Sequence, residues 1–159
     1  MKKAFDYAAS EKSVVVTILT ASGPFFSSGH HLTISPKDFD AFKDGNKELN
    51  QRLKDEGTTA TALVNTMIDF PKLLIAAVNG PAIGISVTLI SLCDIVYVSE
   101  KATFTTPFMQ WGFSPEGCSS YNFPRIMGNS NANEVLVSCD LKSAINFKCF
   151  YHVVVGEIF

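Results

Sequence analysis

The 159-residue chain reads as an α/β domain on a mostly parallel sheet, and three observations predict it. Short β-branched runs at Val14–Leu19, Leu73–Val78 and Asp94–Val98 alternate with segments of helical periodicity, the pattern of successive β-α units. Hydrophobic residues make up 47% and charged residues 18%, which excludes a disordered chain and suffices for one buried core. No run of about 18 apolar residues occurs, so a membrane-spanning helix is not expected.

Taken in order, residues 4–11 look like the end of a helix. Val14–Leu19 follows as a buried strand, broken by Ala21-Ser22-Gly23-Pro24, and Phe25–His31 is a loop. Residues 37–55 are charged and partly helical, interrupted at Gly45 and ended by Gly57. Thr58 and Thr59 are placed to cap a second helix whose apolar face is Leu63, Val64, Met67 and Ile68, and Pro71 stops it. Leu73–Val78 is a buried strand, and Asn79-Gly80-Pro81 turns the chain. Gly84 opens an all-apolar, hence buried, helix over 85–92. Strands are expected at Asp94–Val98 and Thr103–Thr105, and a helix from Cys118 to Met127 ended by Gly128. Asn131 with Glu134 resembles a capping pair for a helix over Ala132–Ser138, and the tail from Phe147 is apolar and β-prone.

Several function classes are disfavoured. Thirteen basic against fifteen acidic residues, with no basic stripe, leave no footprint for nucleic acid. Cys93, Cys118, Cys139 and Cys149 show no C-x-x-C spacing, so neither zinc nor a disulfide framework is indicated, and reduced thiols in an intracellular protein are expected. His30-His31 lack further ligands nearby in sequence, so no metal is assigned. Gly80-Pro81-Ala82-Ile83-Gly84 is neither a phosphate loop nor a dinucleotide fingerprint. None of Ser27, Ser28, Ser86, Ser119 or Ser120 sits in a G-x-S-x-G elbow.

Ligands of such folds bind beyond the strand C-termini, which points to Phe25–His31 and Asn79–Gly84. A helix starting after Gly84 leaves N–H groups unpaired in its first turn. With an N–H from Gly29-His30 opposite, the pair could bind an oxyanion, though spacing alone is better read as an ordinary strand-to-helix turn. Glu116, following Phe108, Met109, Trp111, Phe113 and Pro115, is either a desolvated base or a glutamate at a helix start.

Three segments in order, Phe26-Ser27-Ser28-Gly29, Ala76–Gly84 and Leu92–Tyr97, resemble the enoyl-CoA hydratase/isomerase (crotonase) superfamily. Thr105–Phe108, Gly112–Ser120 and Phe123–Met127 are most similar to peroxisomal-type Δ3,Δ2-enoyl-CoA isomerases and chromodomain Y-like proteins. The resemblance implies a crotonase-like ββα-spiral fold over 1–146, followed by a divergent tail over 147–159. It begins within the family's first helix and stops after Asn146. The expected fold is therefore incomplete, with the N-terminal hairpin and the C-terminal helices missing. Those helices normally cover the acyl pocket and help build homotrimers.

By matched position the resemblance puts the oxyanion hole on the main-chain N–H groups of His30 and Ile85 and the isomerase base on Glu116. Substrate contacts would come from Ser28, Gly29, His31, Leu32, Gly84, Pro107, Phe108 and Trp111. The two glutamates of hydratases fall on Thr88 and Phe108, which disfavours hydration. The implied activity is movement of a double bond from C3 to C2 of a fatty acyl-CoA in β-oxidation. It needs no cofactor beyond the coenzyme A thioester substrate and no metal. The alternative is an acyl-CoA-binding or protein-interaction module like the chromodomain Y-like domains, which carry aspartate where Glu116 stands, or an inactive short isoform. The family resides in peroxisomes or mitochondria; no transit peptide is visible, and Glu157-Ile158-Phe159 is not an S-K-L address. Where His30 stands the family usually has Ala, Asn or Leu, and where His31 stands, Asp or a small residue.

Overall fold

The computed structural model describes residues 1–31, 45–144, 146 and 154–156. Helix α1 (Lys2–Ser10) buries Phe5 and Ala8 and leads to strand β1 (Val16–Leu19). Helix α2 (Lys47–Ile68) returns the chain to β2 (Leu73–Val78), and a short β3 (Ala82–Ile83) runs into helix α3 (Ile85–Ile90). Strands β4 (Ile95–Ser99) and β5 (Thr103–Thr105) precede a 3-10 turn at Met109–Trp111. Helices α4 (Ser119–Met127) and α5 (Asn129–Val137) and strands β6 (Lys142–Ser143) and β7 (Val154–Gly156) follow.

As the alternation predicts, the main sheet is wholly parallel, in the order β1-β2-β4-β7. Ile18 lies beside Ile75, and Ile75 beside Ile95. A smaller mixed sheet, β3-β5-β6, stands at the C-terminal end of β2, because Asn79-Gly80-Pro81 turns the chain straight into β3. The core lies between the two sheets and α2, α3, α4 and α5, centred on Leu74, Val78, Val87, Ile90, Val98, Phe104 and Phe123.

Four sequence expectations are corrected. β1 is a sheet-edge strand with Val16 and Ile18 exposed, not a buried one; a continuous apolar run does not distinguish a strand covered on both faces from one covered on a single face. Gly57 ends nothing: α2 runs unbroken from its Asn46 cap, whose Oδ1 accepts from the N–H groups of Glu48 (3.0 Å) and Leu49 (3.1 Å). Thr58 and Thr59 donate back to the carbonyls of Lys54 (2.8 Å) and Asp55 (3.0 Å) instead of capping a new helix. The penalty of roughly 1 kcal/mol for a mid-helix glycine is offset by helix cooperativity and by the packing of Leu49, Val64 and Met67. Asn131 does not cap α5; it lies inside that helix and donates to the Met127 carbonyl (2.8 Å), while Glu134 pairs with Lys142. The β-prone tail contributes β7, which pairs in parallel with β4.

Among the described residues no helix is long and apolar enough to cross a membrane.

Candidate active site

The loop after β1 is stitched to the turn between β2 and α3. The N–H groups of Phe26 (3.0 Å) and Ser27 (3.2 Å) both donate to the Pro81 carbonyl, and the Ile83 N–H donates to the Ser27 carbonyl (3.0 Å). Ser86 of α3 locks the junction, its hydroxyl donating to the Ile83 carbonyl (2.8 Å). Gly29 has φ +90°, and a Cβ there would lie 2.7 Å from the Ile83 carbonyl oxygen. Only glycine lets the main chain pass this close, which brings His30 beside the start of α3. The Gly84 N–H is taken by the Thr105 carbonyl (2.8 Å). The next donor, the Ile85 N–H, opens the helix and has no acceptor among the described residues.

Glu116 arrives from the other side. Beyond β5, Thr106 is fully buried and its hydroxyl donates to the Val135 carbonyl. The Phe113 N–H closes a loop on the Phe108 carbonyl (2.8 Å). The Glu116 carbonyl then accepts from both the N–H (3.1 Å) and the hydroxyl (2.7 Å) of buried Ser119. Gly117, at φ +61°, rests on α3 so closely that a Cβ would lie 2.3 Å from Thr88 Oγ1. One helix therefore sets both the Ile85 N–H and the turn that carries Glu116.

These segments enclose a cavity of about 380 Å³. Of the residues predicted from sequence, Ser28, Gly29, His30, His31, Gly84, Ile85, Pro107, Phe108, Trp111 and Glu116 all line it. Leu32 lies outside the described residues. Phe113 and Ile83 complete the wall. Ile83 was not foreseen, although its place at the end of a strand, just before Gly84, was the available signal. Thr88 is buried beneath Gly117, its hydroxyl donating to the Ile85 carbonyl (2.9 Å).

The lining is mainly apolar, and Glu116 is its one acidic side chain among the described residues. By surface area Glu116 is exposed, because the cavity opens to solvent on one side. The surrounding protein still removes enough water from the carboxyl that desolvation raises its pKa above the ordinary carboxylate value, against a smaller opposing pull from the charge of His30. Exposure of the side chain and shielding of its carboxyl coexist because only the open side admits solvent. The other thiol and hydroxyl candidates are quiet. Burial pushes the Cys93 thiol up to about 12, and Ser27, Ser86 and Ser119 are engaged by main-chain groups. No group of three metal-ligating side chains forms among the described residues.

A spiral of parallel β-α units with a strand-end cavity, where a helix-start N–H and a half-shielded carboxyl meet, defines a protein of the crotonase fold. The family model for enoyl-CoA hydratase/isomerase matches residues 1–148, and the chain belongs to that family. Enoyl-CoA delta isomerase 2 of Homo sapiens is 48% identical over 130 residues, covering 82% of this chain and 32% of the relative. The peroxisomal enoyl-CoA delta isomerase 3 of Mus musculus is 43% identical over 129 residues, covering 81% and 38%. Chromodomain Y-like protein of Homo sapiens is 42% identical over 142 residues, covering 87% and 22%. The chain thus spans well under half the length of these curated relatives. The crystal structure of an enoyl-CoA hydratase from Bacillus halodurans superposes with a TM-score of 0.85 at 24% identity, covering 99% of this chain and 61% of that one.

Proposed function

We propose that the protein is a Δ3,Δ2-enoyl-CoA isomerase working through Glu116. The observation that carries this reading is the meeting of the Glu116 side chain, the Ile85 amide and the Gly29-His30 loop at one cavity. A 3-enoyl-CoA would enter with its acyl chain against Pro107, Phe108, Trp111 and Phe113, and its thioester oxygen between the N–H groups of His30 and Ile85. The Glu116 carboxylate takes a proton from C2. The C–H electron pair becomes the C1–C2 double bond of a dienolate, and the carbonyl pair moves onto oxygen, where the two amides hold it. The electrons then return: the carbonyl reforms, the double bond settles between C2 and C3, and C4 takes the proton back from Glu116. One carboxyl within reach of C2 and C4 completes the cycle with no net change in protonation. Neither Thr88 nor Phe108 supplies a second carboxylate to activate water, which separates this reaction from hydration.

The mouse relative's peroxisomal name supports a peroxisomal setting. A second reading, an acyl-CoA-binding or interaction module without turnover, draws on the 42% identity to chromodomain Y-like protein.

The test is conversion of 3-hexenoyl-CoA to trans-2-hexenoyl-CoA, followed by the absorbance of the conjugated thioester. The wild-type chain should turn over, and Glu116→Gln should lose about 10²- to 10⁴-fold in rate, the usual contribution of a positioned acid–base group. Tight thioester binding without turnover by wild type would favour the module. Equal rates in both would remove Glu116 from the chemistry.

A further inference from the structure

We propose that Thr88 is a positioning residue: its side chain is the spacer between the turn that carries Glu116 and the helix start that carries the Ile85 N–H, and its bulk sets which substrate carbon the carboxyl reaches. The inference rests on the isomerase reading for its catalytic meaning, while the contact it starts from does not depend on that reading.

Thr88 is fully buried one turn along α3 from Ile85, and its hydroxyl donates to the Ile85 carbonyl (2.9 Å), which fixes the rotamer. The side chain then faces Gly117, the residue directly after Glu116. A Cβ on Gly117 would lie 2.3 Å from Thr88 Oγ1, 3.0 Å from Thr88 Cβ and 3.9 Å from Ile85 Cγ1, so all three of its nearest atoms belong to the first turn of α3. A second tie closes on the same residue. The Thr88 carbonyl accepts from the N–H (3.1 Å) and the hydroxyl (2.6 Å) of Ser91, and Ser91 Oγ accepts from Asn122 Nδ2 (3.2 Å) of α4. Helix α4 opens with Ser119, which holds the Glu116 carbonyl. Glu116, Gly117, Thr88, Ser91, Asn122 and Ser119 thus form a closed ring between the two elements that make the site, and in a close-packed interior the loss of one atom is felt by its neighbours.

Removing the Thr88 hydroxyl and methyl lets the turn settle toward α3, and so toward the carbonyl end of a thioester held at the Ile85 N–H. C2 lies nearer that carbonyl than C4 does. A carboxyl moved this way still takes the C2 proton but delivers it to C4 less well. In D₂O the C2–H bond breaks as the carboxyl O–H forms, and that O–H exchanges with solvent to O–D. The deuteron then goes to C2, returning labelled substrate, or to C4, giving product. The split between the two depends on where the carboxyl sits and not on how much of the chain is folded.

The experiment follows the full chain with 3-hexenoyl-CoA in D₂O, reading deuterium at C2 of the remaining substrate against product formed. Thr88→Ala should lower the isomerisation kcat on the order of tenfold or more, with KM changing less, and should raise the ratio of C2 exchange to isomerisation several-fold. Thr88→Val keeps the bulk and drops the hydrogen bond, and should raise the ratio less. Thr88→Ser repeats the comparison if Thr88→Ala does not fold. A ratio unchanged or lowered in the smaller variant, or raised as far by Thr88→Val, overturns the proposal. Urea unfolding tests the contact apart from turnover: Gly117→Ala should lower the midpoint less in a Thr88→Ala background than in wild type, because the atom it strikes is gone. Equal losses in both backgrounds also overturn the proposal. Unequal losses in a chain whose wild type shows no turnover would leave the spacer standing and sink the isomerase reading. Turnover with equal losses would do the reverse.

Discussion

The two faces of the four-stranded sheet are almost equally apolar and have opposite fates. Toward the core, Leu74, Ala76 and Val78 of β2 alternate with Val96 and Val98 of β4, all buried to 2% exposure or less. Away from it, Val16, Ile18, Leu73, Ile95 and Tyr97 stand open, Ile18 at 60%. The register lines up Ile18, Ile75 and Ile95 across three strands, so the open residues form one continuous patch rather than scattered singles. The difference teaches that apolar content made both faces fit for burial, while the connections decided which one was used. The described helices and the turn into β3 pack onto the inner side, and the cavity forms where that covered side ends.

The sharpest way to break this contrast is to attack the covered end. Replacing Ile85 by proline removes one N–H at a helix position that tolerates proline, and should cost about 10²- to 10³-fold in the rate of 3-hexenoyl-CoA isomerisation while far-UV circular dichroism stays unchanged. Gly117→Ala drives a methyl group into Thr88 at a left-handed position; it should displace Glu116 and cut activity at least tenfold, measured alongside chemical denaturation to separate loss of site from loss of fold.

The two faces can then be compared directly by stability. Leu74→Ala should destabilise by about 2–5 kcal/mol in urea unfolding, and Ile18→Ala by less than about 0.5 kcal/mol, although the two side chains are similar in size. Similar losses at both sites would mean that the outer face is covered in solution.

The smallest effect concerns Glu116 itself. Its carboxyl pKa is raised in the fold, so the charged form is disfavoured there relative to the unfolded chain. That group contributes no penalty below the ordinary carboxylate range, where it is protonated in both states. Its penalty is fully present above the raised value. Glu116→Gln should therefore melt slightly higher than wild type above the raised value, with the gap closing as the pH falls through that value and gone once it is below about 4.5. A wild type more stable than the variant at neutral pH would show that the cavity does not shield this carboxyl.

Much of this was legible in the residues. Strand-rich runs at 73–78, 94–98 and 103–105 and the glycines at 84 and 128 placed elements to within a residue or two, because turn chemistry and β-branching act locally. The resemblance carried by the segments around Gly29, Gly84 and Glu116 named most of the cavity's lining, whereas spacing alone left each of them open to an ordinary structural role. What stayed hidden was non-local. Gly57 looked like a break because propensity is a local quantity, whereas α2 is held by packing along its whole length. The outer face of β1 looked buried because no single strand records which of its sides a helix will cover. The meeting of Glu116 with the Gly29-His30 loop required two loops, some 86 positions apart in sequence, to be seen across one cavity.

The most direct measurement is proton exchange at the substrate itself. 3-Hexenoyl-CoA is incubated with the chain in D₂O and followed by NMR at C2 and C4. A working Glu116 predicts deuterium entering at those carbons with wild type and none above background with Glu116→Gln. Uptake at the same rate in both proteins would contradict it.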